Sequence, residues 1–372
     1  MSVPATTPRN KQLDGLRIFP VAATMMHHWL GDWGTTLSFG GYHLMFVLSG
    51  FLVTRMLFKG RESVAKGKSV WEAIRQFYLR RYLRTLPTYY LVIIAAAIVG
   101  VSQTDKIFWW LMTMTPNIYI ALTSEWIDKF SHLWSLAVQE QFYLVWAWLV
   151  ILAPKRWVLP LVGLTVLMGP LFRIYAIETG MHKLAIKCLP FSSLDTLGLG
   201  ALLAVLIELK SASFNLRAVS RILFASGVAA ALGLHYWLAL HETSQMHAVF
   251  FKTAIALAGC GVIGNIVAGM RGPLAALLEW GPCVYLGRIT YGLYLYHFFV
   301  PPLLRTTFNA FGLPFDHQHH LSHLLLCFAV LLLIAALSWH FIEQPIARLK
   351  ERLSASDRAV SVIPEIKSEL AG

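Results

Sequence analysis

The sequence predicts an all-α integral membrane protein. Apolar residues make up 57% of the chain and charged residues only 13%, and the mean hydropathy is positive, a balance unlike that of a soluble globular domain. Hydrophobic stretches long enough to cross a bilayer recur throughout the chain. Thirteen Trp and 22 Phe supply the amphipathic and bulky side chains that settle at membrane interfaces.

Ten spans are read in order, at 13–30, 42–58, 86–101, 133–153, 158–175, 194–209, 222–240, 249–270, 285–304 and 321–342. The shorter ones are expected to be broken helices. The first span lacks a small-residue cleavage site and carries a polar face, so it reads as a retained helix and not a signal peptide. No repeat or linker divides the chain, so residues 1–347 form one membrane domain and 348–372 a polar cytoplasmic tail.

Orientation follows from the basic residues. With the N-terminus inside, the outer turns hold Lys106, Lys129, Arg173, Lys183, Lys187, Lys252 and Arg305, seven of the 31 Lys and Arg. The excess faces the cytoplasm, so both termini are expected there. The net charge of +12 is dispersed over loops, which argues against a nucleic-acid partner and for a lipid bilayer as the surface these cations meet.

Arg17 and His28 are polar groups inside the first hydrophobic segment, where charge usually marks function. Their separation of eleven positions is close to three helical turns, or about 16 Å of rise, so they share a face. A helix-packing histidine bonded to a neighbouring span is the bland alternative for His28. Asp14, three residues before Arg17, is placed to orient the guanidinium.

The stretch 55–84 reads as the longest cytoplasmic loop and ends in Arg80-Arg81-Tyr82-Leu83-Arg84. Arg81 and Arg84 lie three apart and so on one helical face. They either set topology and touch anionic lipid, or clamp phosphate through paired guanidinium hydrogen bonds.

Other features are weaker. Cys188, Cys260, Cys283 and Cys327 lack CxxC spacing and read as buried free thiols. Asp316, His317, His319, His320 and His323 form the one metal-like cluster, but no Glu or Cys completes it; a solvated loop is expected and no metal. Phe108, Trp109 and Trp110 read as an interfacial or re-entrant piece. Arg288 and Glu343 lie near helix ends, where snorkelling suffices. Ser135 has no glycine-flanked elbow and reads as a hydroxyl at a helix start, not a nucleophile.

Six blocks of this sequence resemble the integral-membrane acyltransferases of family 3, and the likeness runs nearly end to end. Leu13-Asp14-Gly15-Leu16-Arg17 followed by His28 is similar to the first-helix motif, and Phe46 to Leu52 to the second-helix motif. Arg81 and Arg84 resemble the paired-arginine motif, and His132-Leu133-Trp134-Ser135 the fourth-helix signature. Residues 289–297, ending at His297, and Phe341-Ile342-Glu343-Gln344-Pro345 complete the series. One departure stands out. Where the family usually carries Glu, a polar residue and then Gln-Phe-Tyr, this chain reads Gln139-Glu140-Gln141-Phe142-Tyr143.

The resemblance implies transfer of an acyl group, acetyl most often, from acyl-CoA to a hydroxyl of a surface polysaccharide, lipid-linked oligosaccharide or other glycoside. It implies His28 as general base or transient acyl carrier, with Gln139 and Glu140 as further catalytic candidates. Arg17, Arg81, Arg84 and Asp14 are then expected to bind acetyl-CoA, and His297, Tyr143 and Trp134 the acceptor; His297 also reads as an interfacial anchor. The setting implied is the bacterial inner membrane. Some members carry a fused esterase-like domain, and the resemblance here is to the stand-alone form. A transporter using the same Arg and His as a substrate or proton path is the alternative, though no inverted repeat is visible.

Overall fold

The computed structural model describes residues 10–30, 41–209, 215–241 and 244–348. Arg348 apart, the tail expected at 348–372 lies outside the described residues. The first half contains α1 (Lys11–Leu16), α2 (Ile18–Trp29), α3 (Gly41–Ala65), α4 (Val70–Val99), α5 (Thr104–Met112), α6 (Pro116–Thr123), α7 (Leu133–Leu152) and α8 (Lys155–Glu178). The second half contains α9 (Lys183–Cys188), α10 (Leu194–Glu208), α11 (Leu216–Leu240), α12 (Gln245–Val267), α13 (Pro273–Glu279), α14 (Gly281–Tyr296), α15 (Val300–Ala310) and α16 (Leu321–Ser338). No strand occurs among the described residues.

The protein is an all-α membrane protein. Eight of its helical stretches are long and apolar enough to cross a bilayer, those of α3, α4, α7, α8, α10, α11, α12 and α16 with its extension to Arg348. Each answers one of the spans read from sequence. The other two, 13–30 and 285–304, are each divided into a pair of shorter helices, at Arg17 and at His297–Phe299. Arg17 keeps right-handed helical angles, φ −62 and ψ −26, so α1 runs into α2 with little change of direction. At the second break Pro301 and Pro302 open α15, where missing N–H groups are tolerated.

The stretch 55–84 is mostly helix and not a loop. Leucine, phenylalanine and charged helix formers carry α3 on to Ala65, and Gly67, at φ 97, turns the chain. Ser69 then caps α4 by accepting from the Glu72 amide at 3.0 Å. Arg81 and Arg84 therefore stand on a helix that enters the bundle, where their positions are fixed by packing.

Backbones approach closely where glycine permits. A side chain at Gly50 would stand 2.0 Å from the Leu197 carbonyl oxygen, and one at Gly200 the same distance from that of Val47, which draws α3 against α10. Gly287 likewise brings α14 within 1.9 Å of the Asp14 carbonyl oxygen, measured from the position of its absent Cβ. These contacts hold α3 to α10 and α14 to α1.

Candidate active site

The break after α14 creates the histidine site. Proline at 301 has no N–H for the His297 carbonyl four residues back, and that carbonyl instead accepts from Trp29 Nε1 at 3.1 Å. The Phe299 amide bonds to Tyr296 rather than to Leu295, and the Leu295 carbonyl accepts from His132 Nε2 at 3.2 Å. Two helices are thus tied to α14 by carbonyls that an unbroken helix would have used itself.

His28 stands at the centre. Its Nδ1 lies 3.0 Å from His297 Nε2, while His297 Nδ1 lies 2.6 Å from the Tyr294 carbonyl oxygen. A carbonyl only accepts, so His297 carries its proton on Nδ1 and offers the Nε2 lone pair. His28 must then donate through Nδ1, which leaves its Nε2 lone pair for chemistry. The rings of His132 and His297 meet edge to face, with centroids 4.9 Å apart.

A second chain of bonds supports the same place. The Tyr294 hydroxyl donates to the His132 carbonyl and so accepts from Ser135 Oγ at 2.8 Å. Ser135 donates its proton to a phenol and not to an imidazole or carboxylate, which is not the pairing of an activated nucleophile. The Tyr294 and Tyr296 hydroxyls both bond inward, that of Tyr296 donating to Ser338 at 3.0 Å.

Two cavities flank these residues. One, of about 430 Å³, has His28, His132, Trp134 and Lys187 in its wall. The other, of about 270 Å³, brings together Arg17, Arg81 and Arg84 with Gln139, Tyr143 and Ser49. Thr24, Tyr42, Ser135 and Tyr294 belong to both walls and form the partition between the histidine end and the arginine end.

At the arginine end Arg81 is locked in place. Its Nε lies 3.0 Å from each Glu140 oxygen and its Nη2 2.6 Å from Oε1. The guanidinium also sits 3.6 Å above the centre of the Tyr143 ring. Glu140, expected as a catalytic candidate, is only 3% exposed and lines neither cavity; in the structure its carboxylate is the counter-ion of Arg81. Gln139 faces the arginine cavity, and its Oε1 accepts from Ser49 at 2.6 Å and from the Tyr143 hydroxyl at 3.2 Å. Adjacent helix positions point about 100° apart, which is why neighbours 139 and 140 serve different surroundings.

The acceptor residues expected from sequence do not share one place. Trp134 lines the histidine cavity and Tyr143 the arginine cavity. His297 is fully buried behind His28 and is not part of the cavity wall. Asp14 is buried in α1, its carbonyl accepting from the Arg17 amide at 3.3 Å.

Three residues counted as outer-loop cations lie elsewhere. Arg173 is fully buried and forms a two-point pair with Asp195, at 3.0 and 2.7 Å, while also donating to Thr253, Val249 and Ser192. Lys187 and Lys252 enter the histidine cavity. Their positions ahead of a buried Cys188 and within an apolar helix were the only signals in the sequence. Glu343, expected to snorkel, is buried and accepts from Ser338 at 3.2 Å.

All four cysteines are buried and unpaired. Among the described residues no group of three His, Cys, Asp or Glu is arranged to hold a metal ion. Asp316 instead accepts from His319 Nδ1 at 2.6 Å on an exposed loop, and that bond holds its carboxyl down at about 2.

A family model described as an acyltransferase domain matches residues 10–340. The chain is 27% identical over 364 residues to a Bacillus subtilis protein provisionally named the peptidoglycan O-acetyltransferase YrhL, covering 90% of this chain and 54% of that one. It is 26% identical over 362 residues to the peptidoglycan O-acetyltransferase OatA of Listeria monocytogenes, covering 90% and 55%. A Staphylococcus aureus protein provisionally named an O-acetyltransferase is 27% identical over 392 residues, covering 95% and 59%. The chain thus spans little more than half the length of these relatives. No solved structure matches it.

Proposed function

The chain belongs to the acyltransferase family, and from that premise we propose that it is a multi-pass O-acyltransferase of a bacterial cytoplasmic membrane. It moves an acyl group, acetyl foremost, from acyl-CoA to a hydroxyl of a cell-surface glycan. The observation that carries this reading is the partition of Thr24, Tyr42, Ser135 and Tyr294, with three arginines on one side and the His28–His297 pair on the other.

Both termini are taken to face the cytoplasm, which puts the arginine cavity on the side where CoA is found. Arg17, Arg81 and Arg84 hold the donor's phosphates, with Glu140 and Tyr143 fixing the plane of Arg81. The donor supplies an activated thioester at the end of an arm that matches the roughly 16 Å of helix rise from Arg17 to His28. Residues 24, 42, 135 and 294 guide that arm through the partition.

His28 Nε2 accepts the proton of the acceptor hydroxyl as the oxygen attacks the thioester carbonyl. The new ester bond forms as the carbon–sulfur bond breaks, and the proton passes to the departing CoA sulfur. His297 fixes the His28 tautomer, and the Tyr294 carbonyl fixes that of His297. Trp134 offers a ring face to the acceptor sugar.

Membranes containing the protein, supplied with acetyl-CoA and peptidoglycan fragments or other surface glycans, are expected to release free CoA only when both an acceptor and His28 are present. Equal release from His28→Ala membranes contradicts the proposal. The names of the relatives make peptidoglycan the first acceptor to try.

A further inference from the structure

The histidine cavity is cationic beyond what acyl transfer to a neutral sugar requires. Lys187 and Lys252 both stand in its wall, and the described wall residues include no Asp or Glu. The nearest carboxylate, Asp195, is consumed by Arg173, by two guanidinium contacts and a Thr253 hydroxyl at 2.5 Å.

The two ammonium groups are held differently. Lys252 donates to Ser192 Oγ at 3.0 Å. Lys187 has its Nζ 5.0 Å from the Trp126 ring centre and 5.9 Å from that of Trp134. Neither forms an ion pair among the described residues. A lysine in a cavity wall that contains no carboxylate finds its counter-charge best in an anionic ligand that enters the cavity. Trp134, also in the wall, adds a flat apolar face of the kind that a sugar ring covers.

We propose that this cavity binds an acceptor glycan bearing an oxyanion, a carboxylate or a phosphate, which Lys187 and Lys252 hold so that a neighbouring hydroxyl meets His28. The inference rests on the acyltransferase reading for its catalytic use, but the binding it asserts needs no turnover. The charge then selects the acceptor, while the Trp134 face accepts many sugar rings.

The test uses the full-length protein in lipid nanodiscs and three probes, tetragalacturonate, its full methyl ester and 6-phosphomannotetraose. At low salt the wild type is expected to bind at least one anionic probe about tenfold or more tightly than the ester, and to lose that preference as salt rises. The stronger anionic arm tells carboxylate from phosphate. Lys187→Gln combined with Lys252→Gln is expected to erase the preference, Lys187→Arg with Lys252→Arg to keep most of it, and His28→Ala to leave it intact. Equal binding of ester and anions, an unchanged preference in the double Gln variant, or no binding in any arm overturns the proposal. Loss of His28-dependent CoA release with the binding preference intact instead counts against the acyltransferase reading alone.

Discussion

His28 Nδ1 faces His297 Nε2 at 3.0 Å, and His297 in turn gives its own proton to the Tyr294 carbonyl. The second imidazole therefore dictates which nitrogen of the first is basic. Removing it frees His28 to adopt either tautomer and to rotate. His297→Ala is expected to lower kcat roughly 10²-fold or more, with the KM for donor little changed. His297→Gln, whose amide oxygen can still accept, should recover part of the loss. Steady-state CoA release measures both, and equal rates in wild type and His297→Ala contradict the relay.

Arg81 and Glu140 form a buried pair with bidentate geometry. Deleting one partner leaves the other as an uncompensated buried charge, so Glu140→Ala is expected to cost about 3–5 kcal/mol of stability. Arg81→Met with Glu140→Leu should restore most of that stability without restoring donor affinity. Thermal unfolding in detergent and equilibrium binding of acetyl-CoA separate the two effects.

Thr24 is the α2 residue whose side chain lies in the walls of both cavities. Replacing it by Trp is expected to close the partition. Thr24→Trp should bind CoA nearly as wild type does, since the arginines are untouched, yet release almost no CoA from acetyl-CoA. Loss of both binding and turnover in a folded variant contradicts passage through the partition.

Gly287 lets α14 approach the α1 backbone, where a Cβ would stand 1.9 Å from the Asp14 oxygen. The obstacle is backbone, which cannot rotate away. Gly287→Ala is expected to destabilise the protein by about 1–3 kcal/mol and to displace the helix carrying Arg17 from the one leading to His297. A lower unfolding midpoint with reduced CoA release is the expected pair of readings.

Much of this was legible in the sequence, and the reasons differ by residue. Hydrophobic length located the eight long helices, since a bilayer sets a length that composition records. Arg17 and His28 stood out because polar groups among apolar ones are costly, and Arg81 and Arg84 because they lie three apart just before an apolar span; the structure distributes all four over two adjoining cavities. Glu140 was visible as a carboxylate, but its partner across the bundle was not, because helix periodicity gives a direction and not a neighbour. The partnership of His297 with His28 joins positions 269 residues apart, a distance that no local pattern spans. Its cause was nonetheless local, the prolines at 301 and 302 that free the carbonyls around it. Lys187 and Lys252 were hidden for the opposite reason, since cations near span ends ordinarily face water.

In the proposed complex one donor molecule lies with its phosphates on the arginines and its thioester at His28. Comparing acetyl-CoA binding and turnover in Arg17→Ala and His28→Ala tests that placement most directly. His28→Ala is expected to bind acetyl-CoA as wild type does but to turn over at least about 10³-fold more slowly. Arg17→Ala is expected to bind about tenfold more weakly, with kcat near wild type at saturating donor. Equal losses of affinity in both variants, or turnover that survives in His28→Ala, would contradict that placement.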